Sequence, residues 1–322
     1  MSVHTVFDVC ALRIACVLVC VLNSTLLPAD VRLPSLFGNH MVVQRDRPIR
    51  IWGSAAAGQN VTVRLHTHTA SASANAQGRW SVELKPLPAG GPHRLSVTGK
   101  TSLTFEDVLV GEVWLCSGQS NMAFSVSNAD DADLEIQAAS YPSIRLISVP
   151  RVGTQEPQRD FAGEWQLCNS SSVASFSAVG YFFGRQLHQT LDVPIGLIDN
   201  AWGGSAAEAW VQHDRLQADP RYAPLLDRWK KTETTYDHAA AVAEHQQRLN
   251  RWQQAAKLAK ANGKPAPRRP RPPRNPLSGQ HRPANLYNGV LQPVIGYGMR
   301  GVIWYQGESN ANRAYQYRHL FP

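Results

Sequence analysis

The sequence predicts an α/β protein built in two parts. Residues 31–107 contain short runs of alternating polarity, which predict a small β-sandwich domain. From residue 108 onward, continuous apolar runs alternate with longer helical stretches, which predicts a parallel sheet covered on both faces at 108–322. At 43% apolar and 17% charged residues, the composition is that of a globular chain.

The β-sandwich prediction for the first part rests on the spacing of its apolar runs and turns. Glycine, proline and asparagine separate runs in which every second residue is apolar, as in half-buried strands. The predicted strands lie at 41–44, 49–53, 61–65, 80–84 and 93–97.

The second part alternates strand and helix. The predicted strands lie at 113–116, 144–149, 195–198 and 301–305, and the predicted helices at 132–139, 175–190 and from 206 onward. In open α/β sheets, ligands bind beyond the carboxyl ends of the strands, so we expect a site where the polar turns follow these strands.

An insertion at about 226–285 interrupts this alternation. It predicts a helix at 239–260 and an extended, proline-rich basic loop at 265–276. Residues 251–275 hold eight Lys or Arg and no Asp or Glu, which accounts for the net charge of +8. Because the charge is local, it does not indicate a nucleic-acid-binding face; a solvated surface excursion is favoured over polyanion binding.

The first 29 residues resemble a signal peptide. Arg13 precedes a short apolar run, and a small-residue cleavage site follows, so we expect export to the periplasm or cell exterior without stable membrane insertion. A short membrane anchor is the alternative. The mature chain keeps Cys116 and Cys168, which either pair or remain free, and the apolar run around Cys116 is equally compatible with a buried thiol.

Three polar turns follow predicted strands, at 118–122, 199–205 and 306–310. The carboxyl ends of parallel strands meet at one edge of a sheet, so we expect the three turns to lie together. Ser120 in the first turn reads either as a nucleophile or as the cap of the next helix.

Together the turns offer what acyl transfer requires, namely a hydroxyl nucleophile and donors for the developing oxyanion. Ser120 can supply the hydroxyl. The backbone N–H groups of Ser120 and of Gly203 or Gly204, with a side-chain amide from Gln306 or Asn310, can supply the donors.

The motifs GQSNM (118–122), WGGS (202–205) with EAW (208–210), and WYQGESNA (304–311) resemble the conserved blocks of the sialate O-acetylesterase family. The resemblance extends from about residue 33 to the last residue. It implies a three-layer, flavodoxin-like α/β/α hydrolase domain of the SGNH (GDSL-like) class that is incomplete at its C-terminus. It also implies removal of O-acetyl groups from sugars or glycans without metal or cofactor. From the local distribution of charge we expect no nucleic-acid partner.

The resemblance assigns roles to single residues. Ser120 is the expected nucleophile, Gly203 or Gly204 an oxyanion amide, Gln306 or Asn310 the side-chain donor, and Glu308 a residue that holds the third turn together.

One departure concerns the general base. The family's Asp-x-x-His block is absent from this sequence, and the sequence does not favour His188 or His213 as a replacement. We interpret the sequence as a truncated gene product, since a relic would have little reason to keep three intact turns. The alternative is a catalytically impaired, exported carbohydrate-binding protein.

Overall fold

The structure is a computed structural model that describes residues 30–320. The expected signal peptide at 1–29 lies outside the described residues. No helix within 30–320 combines the length and the apolar character that a membrane crossing requires.

Eleven strands lie within the described part of the chain. They are β1 (Val42–Gln44), β2 (Ile49–Ser54), β3 (Asn60–Leu65), β4 (His68–Ser73), β5 (Arg79–Leu84), β6 (Gly90–Thr98), β7 (Ser102–Gly118), β8 (Ser140–Ser148), β9 (Gln166–Asn169), β10 (Ile195–Asp199) and β11 (Gly301–Tyr305).

Seven α-helices accompany them, with several single helical turns. They are α1 (Ala132–Ala138), α2 (Ser170–Val173), α3 (Ala178–Leu191), α4 (His213–Ala218), α5 (Ala223–Thr235), α6 (His238–Ala261) and α7 (Ala314–Leu320). The 3-10 turns are Val126–Asn128, Ala207–Trp210, Pro220–Tyr222, Pro276–Ser278, Gln292–Val294 and Glu308–Arg313, and a π-helical turn spans Tyr287–Leu291.

Nine of the strands form one mixed sheet centred on β7. The order is β4-β3-β6-β7-β10-β8-β9, and β1 and β11 also pair with β7; β2 and β5 form a separate antiparallel pair. The first half of β7 runs antiparallel to β6, and its second half runs parallel to β10 and β11. The boundary predicted at 107/108 therefore falls inside one continuous strand.

The antiparallel strands bury every second side chain, as expected. In β5, Trp80, Val82 and Leu84 are buried while their neighbours are exposed. These side chains share one hydrophobic core with β3, β6 and the adjoining face of β7. Strand β4 is not predicted by the sequence, because its residues are small or polar and none of them is buried.

Burial differs among the parallel strands: four of the five residues of β10 are buried, whereas β11, whose partner within residues 30–320 is β7 alone, has no buried residue. Strand β10 lies between β7 and β8, and helix α3 packs on it so closely that a Cβ on Gly184 would lie 2.6 Å from Leu197. Helix α3 begins later than predicted because Ser177 caps it by accepting a hydrogen bond from Gly180 N.

Two further elements differ from prediction. Strand β9, paired with β8, was missed because its four residues carry no apolar pattern. The helix expected from residue 206 is only the 3-10 turn Ala207–Trp210 before α4 begins at His213. In the insertion, α6 covers the predicted helix, and residues 264–275 have no regular secondary structure.

Candidate active site

The three polar turns meet at one edge of the sheet. Strand β7 has β10 on one side, with Asp199 opposite Cys116, and β11 on the other, with Tyr305 opposite Gly118. All three strands run parallel, so their carboxyl ends bring the turns together as the sequence predicts.

Ser120 lies exposed immediately after β7. Its turn is closed by Ala123 N donating to Gln119 O at 2.9 Å. The turn is fixed to α3 by the Ser177 hydroxyl, which donates to Met122 O at 2.6 Å. No hydrogen bond from any of residues 30–320 engages the Ser120 hydroxyl, which leaves it open to solvent.

The alternative that Ser120 caps the next helix is wrong. The next helical segment begins only at Val126, with Ser125 at its cap position. Donors for an oxyanion at this turn are therefore single backbone N–H groups and not the open end of a regular helix.

The second turn packs directly on the first. A Cβ built on Gly203 would lie 3.7 Å from Ser120 Cα, so the Gly203 backbone lies against the serine. Trp202 N donates to Gly118 O at 3.0 Å and Asn200 N to Cys116 O at 3.1 Å, which fixes the register of the two turns. Gly204 has a φ of 73°, a left-handed conformation that glycine adopts without strain.

Gln119 ties the first turn to the third, a role that the sequence did not reveal. Its buried side-chain oxygen accepts hydrogen bonds from Gly307 N at 3.1 Å and Ser309 N at 3.2 Å. Its Nε2 donates to the Glu308 carboxylate at 3.4 Å, and its backbone N donates to Tyr305 O at 2.8 Å. The residue before Ser120 thus positions the whole third turn.

The two candidate amides of the third turn are already engaged. Gln306 Nε2 donates to Ser205 O at 3.1 Å and to Asn310 Oδ1 at 2.9 Å, which uses both of its hydrogens. Asn310 is 1% exposed and donates to Glu208 Oε2 at 2.8 Å. Glu308 lies exposed at the mouth of the turn, where its carboxylate accepts from Gln119.

Glu208 is a buried carboxylate that binds two residues of the segment containing the third turn. This carboxylate is 1% exposed, and besides Asn310 it accepts from Arg313 Nη1 at 2.7 Å. A buried carboxylate needs such partners, because an unpaired charge in the interior is strongly destabilising. The EAW motif thus has a structural explanation: its glutamate joins the turn after β10 to the turn after β11.

The insertion reaches the site through Gln280. Its carbonyl accepts from Ala206 N at 3.2 Å, and its Nε2 lies 3.5 Å from the position of a Cβ on Gly204. Sequence reasoning missed this residue, because nothing local marks a residue at the end of a proline-rich loop as a neighbour of the second turn.

Asp199, at the end of β10, is a titratable group whose pKa is altered by its surroundings at this edge. Loss of hydration raises its pKa to about 6, opposed by a hydrogen bond from Ala201 N and by the charge of Arg151. Cys116 and Cys168 are free, which decides between the two expectations for them. Burial raises the pKa of both thiols, so neither is a reactive thiolate.

Neither candidate replacement base bonds to the serine. His188 contacts Val193 O at 2.8 Å near the far end of α3, and His213 lines a cavity of about 380 Å³ beside α5. Across residues 30–320, no histidine ring makes a hydrogen bond with Ser120.

Comparison with known proteins points to one enzyme family. Residues 110–258 match the family model described as carbohydrate esterase, sialic acid-specific acetylesterase. That span includes Ser120 and both glycines of the second turn.

Curated relatives match over most of the chain. The sialate O-acetylesterase of Rattus norvegicus is 31% identical over 302 residues, covering 87% of this chain and 52% of its own length. That of Homo sapiens is 29% identical, again over 87% of this chain and 49% of its own length. The chain spans about half the length of the curated relatives it matches.

A solved structure of a carbohydrate acetylesterase is also similar to this chain. The crystal structure of a carbohydrate acetylesterase from Xanthomonas citri is 31% identical, with a TM-score of 0.68, covering 91% of this chain and 55% of that one.

Proposed function

Because the chain belongs to the sialate O-acetylesterase family of carbohydrate esterases, we propose that it hydrolyses O-acetyl esters on sugars. The observation that carries the proposal is the exposed Ser120 packed against the Gly203 backbone at the edge where the three turns meet.

In the proposed reaction, the Ser120 hydroxyl attacks the acetyl carbonyl and forms a tetrahedral intermediate. The backbone N–H groups of Ser120 and of Gly203 or Gly204 stabilise its oxyanion. Collapse of the intermediate breaks the ester bond, the proton taken from the serine goes to the departing sugar oxygen, and water then releases acetate from the acetyl-serine.

The contacts of Gln306 and Asn310 argue against either amide as the main oxyanion donor. Gln306 is the less buried of the two candidates, but it already donates to Ser205 and Asn310. Asn310 keeps one hydrogen beyond its bond to Glu208 but is enclosed. In this proposal the backbone N–H groups therefore provide most of the oxyanion stabilisation. Gln306 and Asn310, together with Glu308, hold the third turn in place. The general base is not assigned to any of residues 30–320.

The same family assignment extends to the architecture. We propose that 108–322 is a three-layer domain of the SGNH class and 31–107 a β-sandwich domain, with β7 shared between them. Helix α3 on the face of β10, and the separate β2–β5 pair packed into the antiparallel core, support this division.

Ser120→Ala tests the function. We expect it to lower acetate release from an O-acetylated sugar by about a thousandfold or more, because the nucleophile is lost. Ser127→Ala, which changes an exposed serine nearby, serves as the matched control. An organophosphate should label Ser120 in the unaltered chain; absence of both hydrolysis and labelling, or labelling of another serine, would contradict the proposal.

A further inference from the structure

The insertion carries a basic groove between α6 and the segment that returns from it. The groove has a volume of about 860 Å³, within the range of about 300–1,000 Å³ that is common for ligand sites. Its lining includes the indole of Trp252 and the small apolar side chains of Ala256 and Ala266. Three ammonium groups complete it, those of Lys257, Lys260 and Lys264.

The groove is held by specific contacts. The Trp252 indole N–H donates to Pro267 O at 2.7 Å, which fixes the returning segment against α6. The Arg269 guanidinium lies 5.7 Å from the indole ring centre, a cation–π contact that adds to this attachment.

Core packing does not explain α6. None of the 24 residues of this helix is buried, so it contributes no side chain to the hydrophobic core. Lys257 and Lys260 are exposed neighbours one turn apart, and like charges at this spacing are mildly destabilising. The cationic surface therefore has a cost for folding that an anionic ligand would offset.

Charge complementarity identifies the ligand as an anion, since three lysines line the groove and residues 251–275 hold no acidic residue. The returning segment continues to Gln280, which lies against the second turn of the candidate active site. Although the sequence favours a solvated surface excursion for this segment, we propose that the basic groove binds a polysaccharide that carries carboxylate groups and so holds an acetylated chain near Ser120. The binding stands by itself; its link to Ser120 rests on the proposed function.

The test measures binding apart from catalysis, using Ser120→Ala in the full chain. A linear polysialic acid without acetyl groups is the probe, and a neutral dextran of the same length is the control. We expect the polysialic acid to bind, with log K falling as salt rises, and the dextran not to bind. The triple variant Lys257→Gln, Lys260→Gln and Lys264→Gln should reduce the slope of log K against log salt by about 2.

A matched triple variant controls for total charge. Arg47→Gln, Lys85→Gln and Lys100→Gln remove three exposed cations outside the insertion and should leave binding within about twofold. Circular dichroism of the groove variant should show unchanged helix content, because the three lysines are exposed.

Two results would overturn the inference. One is a polysialic acid that fails to bind or binds both triple variants equally. The other is single-stranded DNA of equal charge that binds more tightly than the polysaccharide, which would assign the groove to nucleic acid. Failure of Ser120→Ala to lower esterase activity would remove the proposed function and leave the binding result standing.

Discussion

At the scale of single residues, buried amides and carboxylates hold this edge of the sheet together. Gln119 makes hydrogen bonds to three successive residues of the third turn, Gly307, Glu308 and Ser309. Glu208 binds Asn310 and Arg313 from below. Ser120 and Gly203 are thereby set on a rigid support, which the roles proposed for them would require.

Asp199 leads to a prediction about stability and pH. Its folded-state pKa of about 6 lies above its ordinary value of 3.8, so the folded protein holds this proton more tightly than the unfolded chain does. Relative to an Asp199→Asn variant, the unaltered chain should be most stable below about pH 4 and lose stability as the pH rises through about 6. The loss should be at most about 3 kcal/mol, measured by urea unfolding between pH 4 and pH 7. Parallel stability curves for the two proteins would show that Asp199 does not titrate in this range.

At the scale of elements, β7 is the strand on which the site depends. It pairs with β1, β6, β10 and β11, and the turn that carries Ser120 follows its last residue, Gly118. Gly118 has a φ of 132°, and a Cβ there would lie 2.3 Å from Tyr305 O on β11. No other residue type fits this position without separating the two strands.

The two glycines near Ser120 should therefore respond differently to alanine. Gly118→Ala should lower the free energy of unfolding by about 2 kcal/mol or more, because the new methyl group meets backbone in a strained conformation. Gly203→Ala should leave stability within about 1 kcal/mol, since its methyl would meet Ser120 at ordinary contact distance. On the proposed function, esterase activity should fall in both variants, and in Gly203→Ala without loss of structure. Equal stability of the two variants in urea unfolding would refute this account.

At the scale of the whole molecule, the two predicted parts share a core. One buried cluster includes Val61 and Trp80 of the antiparallel strands, Val113 of β7 and Ile198 of β10. The excess of basic over acidic residues, in contrast, lies in the insertion, whose helix α6 adds surface to the molecule without extending this core.

The shared core predicts how the chain unfolds. Since β7 passes through both parts without a linker, we expect one cooperative thermal transition, with calorimetric and van't Hoff enthalpies that agree. Two resolved transitions would show that the antiparallel part unfolds independently of the parallel sheet.

The sequence by itself determined the strands with a clear polarity pattern, the three turns that follow parallel strands, and the candidate roles of Ser120 and the second-turn glycines. These features depend on residues that are neighbours in the sequence, so local patterns suffice to predict them. The tertiary structure alone decided that Gln119 holds the third turn, that Ser120 caps no helix, that the cysteines are free, and that Gln280 reaches Gly204. Each of these depends on which distant residue lies opposite, and Gln119 meets a partner 189 residues away along the chain. Such contacts form only when packing closes the sheet, and no local pattern encodes them.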